Sequence, residues 1–244
     1  MAALLISIPT ATARGMSEPH GILPMSTASG WAGYVVRAGG RAFREVGGSW
    51  AEPRIVCNRP QSSVAFWVGI GGAERDSQAL EQIGTSANCS ESALPSYSAW
   101  YQLVPAAPVD IPVVIKPGDR VSARLRLRGR VVKLEFRNRS TGASFATEVI
   151  ASSLETGSAE WVAEAPAVCF TLDCTPLPLA DFARVVFSNA QASAGLLQGS
   201  IAAAAWTTQP IEMRSPARTL SVVPTRLSRG GSSFAVQALA ETGH

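Results

Sequence analysis

The chain has 244 residues, which is one large domain or two small ones. Hydrophobic residues make up 46%, which excludes wholesale disorder, while charged residues are only 16% against about 25% in typical soluble domains. A net charge of +3 gives no argument for a nucleic-acid partner, and no run of 18 apolar residues predicts a membrane-spanning helix.

Ala2 to Ile8 form a short apolar run, followed by Ala11-Thr12-Ala13, a small-residue pattern of the kind found at signal cleavage sites. Residues 1–27 are therefore expected to be a leader, either a truncated signal peptide or a pro-segment. Residues 28–244 are expected to form one β-rich domain. Short strand-like runs sit at 31–37, 64–70 and 97–103. Next comes a hairpin in which Val121, Ala123, Leu125 and Leu127 alternate with Arg120, Ser122, Arg124, Arg126 and Arg128. Its second strand sets Val132, Leu134 and Phe136 against Lys133, Glu135 and Arg137. Lys116-Pro117-Gly118-Asp119 and Ser140-Thr141-Gly142 mark the flanking turns. Further runs at 145–151, 159–164, 184–188 and 219–223 complete a pattern of many short strands, which predicts a sandwich or barrel. Ala192 to Trp206 is rich in alanine, but its two glycines make a poor helix. The arginines of the hairpin read as a solvated strand face, with no interleaved aromatics of the kind that bind single-stranded nucleic acid.

The two histidines, His20 and His244, lie near the chain ends. A Ser-His-Asp or Cys-His catalytic system needs an imidazole fixed in a cleft, and a His-rich zinc site needs several. Neither is expected, and no cofactor or metal is implied. The four cysteines, Cys57, Cys89, Cys169 and Cys174, show no CxxC spacing. They predict two disulfides, most simply Cys57–Cys89 and Cys169–Cys174, although three connectivities are open.

Ser158-Ala159-Glu160-Trp161-Val162-Ala163-Glu164 reads as a strand. Glu160, Val162 and Glu164 then share one face, and Trp161 and Ala163 the other. Two carboxyls on one face fit either a solvated surface or a concave sheet that lines a groove. A paired-carboxyl glycosidase is the less favoured chemistry. Positions i and i+4 on a strand are roughly 13 Å apart at the backbone, against roughly 5–9.5 Å between glycosidase carboxyls. Val162 also stands where laminarinase-like hydrolases carry a mediating Asp.

Several segments together resemble the glutamic peptidase (eqolisin) family. They are Gly30-Trp31-Ala32-Gly33-Tyr34, Gly48-Ser49-Trp50, Phe66-Trp67-Val68-Gly69-Ile70 and Leu80-Glu81-Gln82-Ile83-Gly84-Thr85. They continue with Tyr97-Ser98-Ala99-Trp100-Tyr101, Pro117-Gly118-Asp119, Ala159-Glu160-Trp161 and Leu179-Ala180-Asp181-Phe182. The resemblance implies an all-β fold: an antiparallel sandwich of two bent sheets, like the concanavalin A-type lectin jelly roll. It implies a catalytic dyad of Gln82 and Glu160, and a substrate groove lined by Trp31 and Trp67; Tyr97 and Glu164 are further candidates for that groove. It further implies an acid endopeptidase acting on proteins or peptides, and the chain is expected to be secreted and monomeric. The sequence departs from the family pattern at Gly71, Ser86 and Gln102, which stand where acidic residues are common. A lectin-like carbohydrate-binding sandwich without catalysis is the alternative.

Overall fold

The computed structural model describes residues 21–22, 25–28, 30–74, 76–170, 173–214 and 220–240. In chain order the strands are β1 (Gly21–Ile22), β2 (Ser26–Ala28), β3 (Trp31–Arg37), β4 (Phe43–Ala51), β5 (Ser63–Gly71) and β6 (Leu80–Cys89). Next are β7 (Pro95–Leu103), β8 (Val109–Ile111), β9 (Arg120–Arg128), β10 (Val131–Asn138), β11 (Ser144–Ile150) and β12 (Ser158–Glu164). The last are β13 (Ala167–Phe170), β14 (Asp173–Pro176), β15 (Arg184–Ala194), β16 (Leu197–Ser200), β17 (Thr207–Arg214), β18 (Leu220–Pro224) and β19 (Phe234–Ala240).

Hydrogen bonding runs without a break from one half of the sandwich to the other. Strands β8, β7, β6, β5, β12, β3 and β17 lie side by side as the first half, each antiparallel to the next. From β17 the ladder passes through β18 and β19 to β15, β4, β9, β10 and β11, the second half. The sandwich is thus a single bent sheet folded over on itself. Gly21–Ile22 and the first two residues of β2, Ser26 and Thr27, inside the segment expected as a leader, pair in parallel with β17, as does Ala28. The rest of residues 1–27 lies almost wholly outside the described residues.

The hairpin expected at 120–137 forms β9 and β10, with Arg128 opposite Val131. Its alternation is the physical reason: Val121, Leu125, Val132 and Leu134 are fully buried, while Arg120, Arg124 and Arg128 are exposed. Residues 192–206 are the end of β15, then β16 and a turn, as their glycines require. Between the halves lie Phe43, Trp50, Phe66, Phe136, Trp161, Phe187 and Trp206, all almost inaccessible. Each large apolar side chain so buried is worth about 1.5–3 kcal/mol. The Trp161 indole crosses the core and donates to the Gly47 carbonyl at 3.0 Å, tying β12 to β4. Cys57 and Cys89 form a disulfide that fastens the loop after β4 to the end of β6. Cys169 and Cys174 face each other in register across the β13–β14 hairpin, and their side chains lie outside the described residues.

Candidate active site

Strand parity decides what lines the outer, concave face of the first half. Trp161 and Ala163 belong to the core between the halves, so Glu160, Val162 and Glu164 point the other way. Val162 joins Ala65, Trp67, Leu80 and Trp100 in a second apolar cluster on that face, with Trp31 and Val104 against it. Registers carry the parity across the strands. Opposite Glu160 stand Val35 on β3 and Gly69 on β5; opposite Gly69 stands Gln82 on β6; opposite Gln82 stands Gln102 on β7. The row therefore reads Val35, Glu160, Gly69, Gln82, Gln102, all facing the groove.

Glu160 and Gln82 are two strands apart, about 10 Å at the backbone from ~4.8 Å per strand. The residue between them is Gly69, which places no side chain in the gap. A Cβ added there would come within 2.9 Å of the Trp67 ring and 3.0 Å of Leu80. The glycine thus lets Trp67 and Leu80 pack over the strand between Glu160 and Gln82. Gln82 is 5% exposed, and its Nε2 donates to Gln102 Oε1 at 2.9 Å. Gln102 Nε2 donates in turn to the Ala106 carbonyl at 2.9 Å. That carbonyl can only accept, so the Gln102 amide has one workable orientation, and it fixes which end of Gln82 faces it. One Gln82 N–H remains uncommitted, and Gln82 Oε1 has no hydrogen-bond partner.

Glu160 is fully buried. Burial lifts its pKa well above the ordinary carboxylate range. The Ser158 hydroxyl and the Arg37 guanidinium act in the opposite direction, while Glu81 and Glu74 add to the rise. Ser158 favours the ionised form from outside good hydrogen-bond geometry, so both Glu160 oxygens keep their capacity to accept. Arg37 lies at the groove end, paired with Glu74 at 2.8 Å.

Glu164 holds two tryptophans. Its Oε1 accepts from the Trp31 indole at 3.2 Å and its Oε2 from the Trp67 indole at 2.7 Å. The two rings meet edge to face, 4.8 Å between centroids. With both oxygens engaged, Glu164 is fixed in position, and burial raises its pKa against the pull of those two indoles. The structure brings Gln82, Glu160, Trp31, Trp67 and Glu164 together, as expected. Tyr97 is a correction: it packs on the core side of β7 with Ala99 and Leu103 and accepts the Ile55 backbone N–H at 3.1 Å. Parity sends Trp100 and Gln102 to the groove instead, and counting alternate residues back from Gln102 would have found Trp100.

The three departures also have places. Gly71 has φ +88, and a Cβ there would collide with the Glu155 carbonyl, so no side chain fits. Ser86 shares the face and row of Ala65 and Glu164. Gln102 is the uncharged partner of Gln82 described above.

Comparison with known proteins gives concordant matches. Aspergillopepsin-2 of Aspergillus niger is 28% identical over an alignment of 192 positions that covers 68% of this chain. The chain spans 65% of the length of that curated relative. Scytalido-glutamic peptidase, solved with a transition-state analogue inhibitor, superposes with a TM-score of 0.73 at 19% identity, covering 88% of this chain and 100% of that one. Aspergilloglutamic peptidase of Aspergillus niger does so with a TM-score of 0.57 at 23% identity, covering 73% and 99%. The family model described as the Peptidase A4 family matches residues 29–233, and the chain belongs to that family.

Proposed function

We propose that this chain is a secreted glutamic endopeptidase that hydrolyses peptide bonds in acid through Gln82 and Glu160. The observation that carries the reading is the row in which a carboxyl and an amide flank a glycine on one concave face. Membership of the Peptidase A4 family supports it, and so does the disulfide, which forms in oxidising compartments.

Each side chain has a role its chemistry allows. Ionised Glu160 takes a proton from water as the water oxygen attacks the peptide carbonyl carbon. The carbonyl oxygen gains the electron pair, and the free N–H of Gln82 hydrogen-bonds the resulting oxyanion. Glu160 then returns the proton to the leaving nitrogen, and the C–N bond breaks. An amide keeps its N–H at any pH, so the Gln82 role survives in acid. The raised pKa of Glu160 makes it a stronger base once ionised. It also moves the rising limb of activity to higher pH than an exposed glutamate would give. Trp31 and Trp67, held by Glu164, form an aromatic wall for substrate side chains.

The test is cleavage of acid-denatured haemoglobin between about pH 2 and pH 7 in the presence of pepstatin, by wild type, Gln82→Ala and Glu160→Gln. Circular dichroism would check the fold of each. Wild type is expected to cleave, and each variant to lose activity about a hundredfold or more while remaining folded. A folded Glu160→Gln variant with wild-type activity would sink the proposal.

A further inference from the structure

The arginine-rich face of the second half is not spent on the groove chemistry. It contains a hollow of about 720 Å³ on the outside of β4, β9, β10, β11 and β15, on the opposite side of the sandwich from Glu160. Its floor includes the small residues Gly47, Ser49, Ser122 and Ala146, with Ser49 directly opposite Ser122. Arg124, Arg137 and Arg139 stand over that floor. Glu45 is shared between Arg124 at 3.4 Å and Arg126 at 3.0 Å, and Glu135 between Arg126 and Lys133. Among the described residues Arg137 has no carboxylate partner, and Arg139 reaches only the Ser122 hydroxyl, at 3.2 Å. The hollow, whose lining also includes Glu45 and Glu135, therefore presents two guanidinium groups without a carboxylate partner, those of Arg137 and Arg139, beside serine hydroxyls.

A second observation points to the same place. The pairing of β15 with β4 slips between Ser188 and Gln191, so that Asn189 and Ala190 together oppose Gly48. Asn189 takes a left-handed backbone conformation, φ 52. The bulge keeps Ala190 in the core and lifts the exposed Asn189 side chain into the hollow beside Gln191. Strained, non-glycine backbone is retained where the surroundings hold it, and such sites cluster where ligands bind.

The chemistry of the lining selects the ligand class. Guanidinium groups fit carboxylates and sulfates in a planar, two-pronged manner. Side-chain amides and serine hydroxyls can both donate and accept, which matches the vicinal hydroxyls of a sugar. The strands β4, β9 and β10 under the hollow are paired on both sides, so an acidic peptide lying across its centre finds no free edge to extend; among the described strands the free edge is that of β11, at the rim. The two bordering rings cannot stack on a base: Phe136 is buried, and Phe145 stacks on Tyr101 on the core side.

We propose that this hollow is a binding site for an anionic glycan, one carrying carboxylate or sulfate groups, which holds the protein on such a polymer while the opposite groove stays open.

The experiment measures binding of oligogalacturonate, dextran sulfate, neutral dextran and oligothymidylate by biolayer interferometry at about pH 5. The proteins are wild type, the double variant Arg137→Ala/Arg139→Ala, Asn189→Gly, and a charge-matched control, Arg54→Ala/Arg59→Ala, whose arginines lie outside the hollow. Asn189→Gly removes the side chain while keeping the backbone conformation accessible. Wild type is expected to bind at least one anionic glycan about tenfold or more tighter than neutral dextran. The hollow variants should lose that margin and the control should retain it. Retention of oligogalacturonate identifies carboxylate as the recognised charge, and retention of dextran sulfate alone identifies sulfate. Equal loss in the control, equal binding of neutral dextran, or tighter binding of oligothymidylate than of either glycan would overturn the proposal.

Discussion

Glu52 should make the fold lose stability as pH rises, and Glu52→Gln should abolish that share of the loss. Glu52 is 1% exposed, in the core beneath β6. Its Oε2 accepts from the Thr85 hydroxyl at 2.6 Å and from the Trp50 indole at 3.4 Å. Its Oε1 has no partner. Burial raises its pKa from 4.5 to about 7; the two hydrogen bonds oppose the rise and Asp119 adds to it. The folded pKa lies above the unfolded one, so the unfolded chain releases its proton first as pH increases. The stabilisation is complete below about pH 4.5 and is lost progressively as pH climbs through about 7. At about 1.4 kcal/mol for each pH unit in that window, the loss is about 3 kcal/mol. Gln keeps an acceptor for Thr85 and cannot ionise. Urea unfolding followed by tryptophan fluorescence at pH 4 and pH 8 measures the effect. Wild type should lose about 3 kcal/mol more than Glu52→Gln between the two. Losses that agree within about 1 kcal/mol would refute the argument, because Glu52 would then not be held neutral in the fold.

Three further outcomes follow from the site. Gly69→Ala should leave the fold detectable by circular dichroism but cut peptide cleavage about a hundredfold, because its Cβ would come within 2.9 Å of the Trp67 ring in the space between Gln82 and Glu160. Glu164→Gln leaves one indole N–H of Trp31 or Trp67 without an acceptor, and steady-state kinetics should show KM rising about fivefold with kcat much less affected. Cys57→Ser/Cys89→Ser opens a loop with a sequence separation of 32, and thermal unfolding should register a loss of about 3–4 kcal/mol.

Where one face of a strand is wet, the sequence shows it. The β9–β10 hairpin alternates residue by residue, and its strands and turn were legible from that pattern alone. The strands that build the groove give weaker signals for a physical reason. Strand β5 is buried at every position and β6 at most, so neither shows a period of two that could fix which face Gln82 takes. Gln82 and Glu160 were both identified through the resemblance of their segments; the spacing of Glu160 and Glu164 alone left a solvated face open. Tyr97 went to the wrong face because it was placed by its segment rather than by its odd separation from Gln102 on the same strand. The Glu164 clamp and the Gln102–Ala106 anchor join positions 133 and 4 residues apart. No local pattern announces a pair of indoles meeting one carboxylate across such a distance in sequence.

The buried carboxyls also bear on one another, which connects fold stability to the proposed chemistry. Glu81 precedes Gln82 on β6, and burial raises its pKa to about 8, with Glu155 adding to the rise. Glu81 is one of the groups that raise the pKa of Glu160. A neutral Glu81 adds no negative charge beside Glu160, and below about pH 7 both Glu81 and Glu52 are mostly neutral. Acid conditions therefore do two things at once. They keep the core-facing carboxyls under β6 uncharged, so the strand carrying Gln82 stays seated. They also leave Arg37 and Ser158 to favour ionised Glu160 against burial, the largest opposing effect, and Glu74, but without Glu81. As pH rises, both Glu52 and Glu81 ionise well above the ordinary carboxylate range, about 7 and about 8. Ionised Glu52 leaves a charge buried beneath β6, and ionised Glu81 adds charge against the base. A neutral Glu81 therefore limits, without reversing, the rise that burial imposes on Glu160.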